Sequence, residues 1–175
     1  MTDSPEPRPR RSPEESKASA WDAALRLLGI RARSRDEMRK RLQRRGFEES
    51  EIESVMTRLD AAGLLDDADF AGEWVRARHS TSGKGRIALR HELAAKGVDK
   101  AIVEEALAGV DPDAEREIAA RLVAKKLTAS TLEEAHTDRT GRDKVFRRLV
   151  GMLVRRGYGQ SMSIDVVNEA LRAAA

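Results

Sequence analysis

The stretch "SRDEMRKRLQRRGF", residues 34–47, carries six basic and two acidic side chains around a thin apolar stripe. Met38 and Leu42 stand four apart, which places them one turn apart on the same side of a helix. Ser34 and Glu37 have the spacing of a capping box at its start. Gly46 falls where a left-handed C-terminal cap is expected, and Phe47 closes the helix end. Arg39, Arg44 and Arg45 avoid the stripe, so they are expected to be removable without opening a cavity. Two apolar positions bury little by themselves. The stretch reads as one piece of a larger helical arrangement, with the purpose of its arginines open.

The pattern returns twice, as "LRHELAAKGV" (89–98) and "LVGMLVRRGY" (149–158). Each copy sets an apolar residue four positions before a second, with a Gly four positions later. A basic residue precedes that Gly and an apolar or aromatic one follows it. Nine, ten and thirteen positions beyond each Gly the chain is apolar again: Val55, Met56, Leu59; Ala106, Leu107, Val110; Val166, Val167, Ala170. A further helix precedes each copy, carrying Trp21 and Leu25, Phe70 and Trp74, or Ile118 and Leu122. Three helices form one unit, and the unit occurs three times. Units this small bury little alone, so neighbours are expected to stack into an elongated array.

The remaining composition agrees with an all-α chain. Of 175 residues, 36% are charged and only 3% aromatic, so the core must come from Leu, Val, Ile, Met and Ala. Strand-like alternation is absent. Six glycines, Gly29, Gly46, Gly63, Gly97, Gly109 and Gly157, follow helical stretches and are expected as left-handed caps. Between them the sequence predicts about nine short helices, near 18–28, 34–45, 49–62, 67–78, 86–96, 99–108, 112–127, 140–156 and 163–173. "STLEEAH" either extends the seventh helix or forms a separate turn. Four of the five prolines lie in the first 13 residues, so residues 1–17 read as a disordered Pro- and charge-rich tail. The three-helix repeats then span 18–62, 63–110 and 111–175. Pro112 after Asp111 suits an N-cap and first helical position.

Several chemistries drop out. With no cysteine there are no disulfides, Cys-based zinc sites or thiol catalysis. His79, His91 and His136 lie far apart without ligand spacing, so no metal is expected. The longest apolar run, "LVGMLV", is too short to span a bilayer, and the first residues lack a signal peptide's apolar stretch. A soluble cytoplasmic protein without membrane contacts is expected. Asp66 and Asp67 precede a helical run and suit N-capping better than acid–base or metal chemistry. "SGKGR" lacks both the leading glycine pattern and the strand of a phosphate loop. No catalytic constellation emerges.

The residues from 20 to about 110 resemble the RecX family of bacterial recombinase regulators. The resemblance rests on the opening from Arg33 to Met38 and the L-x-x-+-G-F close from Leu42 to Phe47. It rests equally on G-L-L-D-D-x-x-F-A-x-x-W-V-x-x-R from Gly63 to Arg78 and R-I-x-x-x-x-x-L-x-x-K-G from Arg86 to Gly97. Ser34, Glu37, Leu42, Gly46, Phe47, Asp67, Phe70, Trp74, Leu93 and Gly97 are its signature positions here. The third unit matches by repeat pattern more than by signature. The resemblance implies a curved helical molecule with no activity, cofactor or small-molecule substrate of its own. It implies a protein that lies along RecA recombinase filaments on single-stranded DNA and inhibits their ATPase, strand-exchange and coprotease activities, in recombination, DNA repair and the SOS response.

The net charge is only +3, from 33 basic and 30 acidic residues, so the placement of charge matters more than its total. From Arg31 to Arg45 there are eight basic residues and two acids. The candidate basic face takes Arg31, Arg33, Arg39, Arg44 and Arg45 from this region. Arg76, Arg78, Lys84, Arg86 and Arg90 come from the second unit, and Arg147, Arg148, Arg155 and Arg156 from the third. A solvated helix surface is the plain alternative, and one or two basic residues in a last turn serve the helix dipole alone. Eight exceed that need and favour contact with a polyanion or an acidic surface. Scattered aromatics offer no stacking platform for single strands. The first reading is therefore a filament regulator with at most weak direct DNA contact. The rivals are a helical module that binds DNA without the recombinase, and a scaffold for some acidic protein.

Overall fold

The computed structural model describes residues 13–174, and every regular element among them is a helix. They group into two compact units divided after Asp67.

The first unit holds α1 (Pro13–Ile30), α2 (Arg35–Gln43) and α3 (Glu49–Ala61). α1 begins at Pro13 rather than near residue 18, with proline's fixed φ suited to a first helical position. Residues 1–12 of the expected tail lie outside the described residues. Ser34 caps α2, its Oγ accepting the Glu37 N–H at 3.1 Å. Met38 and Leu42 are fully buried against Ala20, Ala24 and Leu27 of α1 and Ile52, Val55, Met56 and Leu59 of α3, with Phe47 packed on the margin. Leu25, expected in this core, is 39% exposed, because α1 turns Ala20, Ala23, Ala24 and Leu27 inward instead.

The second unit contains the other two repeats. α4 (Asp67–Ser82), α5 (Arg86–Ala95) and α6 (Lys100–Ala108) enclose Phe70, Val75, Leu89, Leu93, Val103 and Leu107. α7 (Pro112–Ala124), α8 (Ala129–Thr137), α9 (Arg139–Arg155) and α10 (Gln160–Ala173) enclose Val123, Val145, Leu149, Leu153, Tyr158, Val166 and Val167. The described residues thus form ten helices, where about nine were expected. The additional one is the ambiguous "STLEEAH" segment. Thr128 caps α8, and Asp138 ends it and caps α9 by accepting the Gly141 N–H at 2.7 Å. A Cβ on Gly141 would lie 2.1 Å from the Glu134 carbonyl oxygen, so only glycine lets α8 and α9 meet this closely.

Repeats two and three are joined through their backbones. The Gly85 N–H donates to the Arg156 carbonyl at 2.9 Å and the Ile87 N–H to the Gly157 carbonyl at 3.0 Å. The Tyr158 hydroxyl donates to the Gly83 carbonyl, and buried Glu115 accepts the Arg86 N–H at 2.9 Å. Among the expected left-handed caps, Gly46, Gly63, Gly97 and Gly157 have positive φ. Gly29 lies inside α1, and Gly109 ends α6 with φ −72°, so neither takes that role. Gly83, which was not expected, does.

Candidate functional site

Most of the basic side chains between Arg31 and Arg45 are engaged within the first unit. Arg31 forms a two-pronged pair with Glu37, both bonds 3.0 Å. Arg39 lies between Glu49 and Glu53, the latter at 2.7 Å, and ties α2 to α3. That pairing holds the Glu53 carboxyl below its ordinary range. Lys40 pairs with Asp36 and Arg35 with Asp60. The Arg35 backbone N–H also donates to Asp67, whose carboxyl burial pushes upward. Arg39, counted with the basic face, thus shares one bridge with two carboxylates.

Arg33 departs furthest from an exposed contact. It is 6% exposed, and its Nε donates to the Leu27 carbonyl at 3.1 Å, which satisfies an acceptor in the last turn of α1. Burial, helped by nearby Arg31 and Arg41, lowers its pKa. Arg33 leaves the basic face and becomes part of the fold. What remains open is Arg41, Arg44 and Arg45, all exposed and without an acidic partner among the described residues. Their i, i+3, i+4 spacing puts them side by side at the end of α2. Arg41 was missing from the expected set.

The same division holds in the second unit. Glu92 gathers several groups: it accepts two bonds of 3.0 Å from Arg78 and one of 3.0 Å from the Trp74 indole, with Lys84 at 3.7 Å. Hydrogen bonding to Arg78 chiefly lowers its pKa. Arg90 pairs two-pronged with Glu104, and Arg76 with Glu73. Arg86 uses its backbone N–H on Glu115 and is half-buried. Arg148 pairs with Glu134 at 3.1 Å, and Arg147 donates to the Asp143 carbonyl. Arg155 is exposed without an acidic partner, and Arg156 donates to the Ser82 carbonyl at 2.9 Å. Arg121, Lys125 and Lys126 were not anticipated; they too are exposed with no acid against them among the described residues. The only sequence sign was the i, i+4 spacing of Arg121 and Lys125 on α7.

Of the other signature positions, Asp67 is the first residue of α4, and its carboxylate accepts the Arg35 N–H at 2.9 Å. Phe70 and Leu93 are buried, and Gly97 has φ 71°. Trp74 is only half-buried, stacked on Phe70 at 5.8 Å with the Lys96 ammonium 4.0 Å from its ring centre. Among the described residues no group of three or more His, Asp or Glu side chains could hold a metal ion, and no helix is long and apolar enough to cross a membrane.

Three-helix repeats with part of their charge paired internally and several exposed cations left open define a helical-repeat protein. Comparison with known proteins carries this further. The model of the first RecX three-helix domain matches residues 20–59, and that of the second matches residues 66–107. The Regulatory protein RecX of Mycolicibacterium smegmatis is 45% identical over 97% of this chain and 89% of its own length. Its counterpart in Mycobacteroides abscessus is 51% identical over 93% of this chain and 78% of its own. The chain belongs to the RecX family. The crystal structure of RecX from Lactobacillus salivarius superposes with a TM-score of 0.76 over 90% of this chain and 97% of that one. At 23% identity that likeness concerns the fold.

Proposed function

We propose that this chain is a non-enzymatic regulator that binds RecA recombinase filaments on DNA and restrains their ATP hydrolysis, strand exchange and coprotease activity. What carries the reading is membership of a family whose relatives are named regulatory proteins, along 97% of the chain. Action on such filaments makes the cytoplasm its place of work and DNA repair and the SOS response its setting. The open cations support a contact with a polyanionic or acidic surface. At the end of α2 these are Arg41, Arg44 and Arg45, rather than the whole of the basic stretch.

The test is inhibition of recombinase ATP hydrolysis on single-stranded DNA by Arg41→Ala/Arg44→Ala/Arg45→Ala, at several salt concentrations. Each change is exposed, so stability should move by no more than about 0.5 kcal/mol per site. Inhibition should weaken and its salt dependence flatten. Full inhibition by the folded variant would reduce these arginines to a solvated surface. The parent chain should also prefer recombinase-coated DNA to naked DNA at physiological salt. Tight binding to naked DNA that collapses steeply with salt would favour a direct DNA-binding module instead.

A further inference from the structure

We infer that the cleft between the end of α4, α7 and α9 is a docking site for an acidic peptide segment that carries an aliphatic side chain. This rests on the filament-binding reading and names the kind of partner surface it needs.

The cleft has a volume of about 550 Å³. Its rim is cationic: Arg121 in the last turn of α7, Lys125 at its C-cap, Lys126 beside them, and Arg156 at the C-cap of α9. No acidic residue lines it, and neither Arg121, Lys125 nor Lys126 has an acidic partner among the described residues. Arg156 spends one N–H on the Ser82 carbonyl, out of the five donors of a guanidinium. Three neighbouring exposed cations thus share one rim with no acid to neutralise them.

The floor is apolar. Ile118, Leu122 and Met152 are half-buried: they pack on the core of the third repeat and also line the cleft. Ala119 and Val123 take the core positions of α7, and Leu149 and Leu153 those of α9, which leaves these three at the margin. The end of α4 closes over this floor because Gly83 adopts φ +57°; a Cβ there would stand 3.1 Å from Leu122 Cδ1. A second cleft of about 590 Å³ shares Lys126 and Met152 and adds Arg148 and Arg155. Its one acid, Glu134, is already paired with Lys144 and Arg148. The two clefts thus extend one track, long enough for several residues of a partner chain.

Charge alone would suit a phosphodiester strand equally well. The floor decides against it. No aromatic side chain lines either cleft, so bases have nothing to stack on. Aliphatic side chains and a pliable methionine instead suit a buried Leu, Ile, Val or Met anchor. Charge-assisted bonds from the rim would then hold flanking carboxylates.

The experiment is carbodiimide cross-linking, which joins lysine amines directly to carboxylates. The full chain is bound to RecA filaments formed on single-stranded DNA with a non-hydrolysable ATP analogue, and the linked peptides are read by mass spectrometry. Lys125 or Lys126 should be joined to an Asp or Glu of one recombinase segment, with an aliphatic residue within about one helical turn of it. Arg121→Glu/Lys125→Glu should bind the filament at least tenfold more weakly with unchanged helicity. Arg121→Gln/Lys125→Gln serves if the reversed variant misfolds. If the parent binds filaments but neither lysine links to the recombinase, and the variants bind like the parent, the cleft proposal falls while the filament-binding reading stands. If the variants lose affinity equally for a naked oligothymidylate and no recombinase link forms, the occupant is DNA and the proposal falls. A parent chain that binds no filament overturns both readings.

Discussion

Gly46 and Gly157 occupy matching places in the first and third repeats, each after a basic residue and before an aromatic one. Both are left-handed, with φ 82° and 90°. Their surroundings differ completely. A Cβ on Gly46 meets nothing within 4 Å, whereas one on Gly157 would lie 2.2 Å from the Ala88 nitrogen. Gly46→Ala should therefore cost only the left-handed backbone penalty, about 1–2 kcal/mol. Gly157→Ala should cost at least twice that in urea unfolding, since the start of α5 must move. Equal losses would show that the close approach carries no energy. The sequence displays both glycines as caps; it cannot display which one a neighbouring helix touches. Arg33 teaches the same lesson for charge. It looks like its neighbours in the sequence, yet a carbonyl at the end of α1 draws it inward. Tyr158, legible only as an apolar closing residue, has a further consequence. Its hydroxyl donates to Gly83 O, and burial, with Glu115 nearby, raises its pKa from 10.0 to about 12. A raised folded value means its stabilisation is complete below pH 10 and is lost as pH rises towards 12. Unfolding midpoints of the parent should fall across that window, and those of Tyr158→Phe should fall less. Parallel curves for the two proteins would sink the assignment.

At the scale of elements, period and punctuation in the sequence served well where one helix face meets one core. α2, α5 and α9 bury Met38 and Leu42, Leu89 and Leu93, and Leu149 and Leu153, the pairs that the repeat displays. Helices that open the repeats were harder. In α1 and α7 small alanines share the buried face, and an apolar count is drawn to the larger Leu25, Ile118 and Leu122 beside it. α8 was ambiguous because its helical pattern holds a single buried residue, Ala135, and depends on caps at Thr128 and Asp138. α4 offers the clearest test of register. Phe70 is 5% exposed among Val75, Leu89 and Leu93, while Trp74 sits at the edge with its indole on Glu92. Phe70→Ala should lower stability by roughly 3–5 kcal/mol, the usual cost of emptying an aromatic core site. Chemical denaturation measures it directly, and a loss below about 1 kcal/mol, the level of an ordinary surface change, would contradict this packing.

On the scale of the whole molecule, three similar repeats do not make three similar units. The first unit ends at Asp67, whereas repeats two and three share the other. Nothing in the repeat pattern separates these cases. The junction is made by backbone groups of Gly83, Gly85 and Gly157 and by single polar atoms, which leave no periodic trace. Five hydrogen bonds cross it: Gly85 N–H to Arg156 O, Ile87 N–H to Gly157 O, Arg86 N–H to Glu115, Tyr158 OH to Gly83 O, and Arg156 to Ser82 O. At about 1 kcal/mol net each, they amount to roughly 5 kcal/mol, as much as the entire stability of many small domains. A cut at the expected boundary between 110 and 111 would remove all of them. It would also uncover Tyr158, now 1% exposed, and leave the buried Glu115 carboxylate without its N–H donor. A fragment of residues 66–175 keeps both sides of the junction. It should melt in one cooperative transition followed by circular dichroism. Residues 111–175 alone should be largely unfolded at 25 °C, or melt far below the longer fragment. Equal melting temperatures would mean that the third repeat stands by itself and that the shared backbone contacts contribute little.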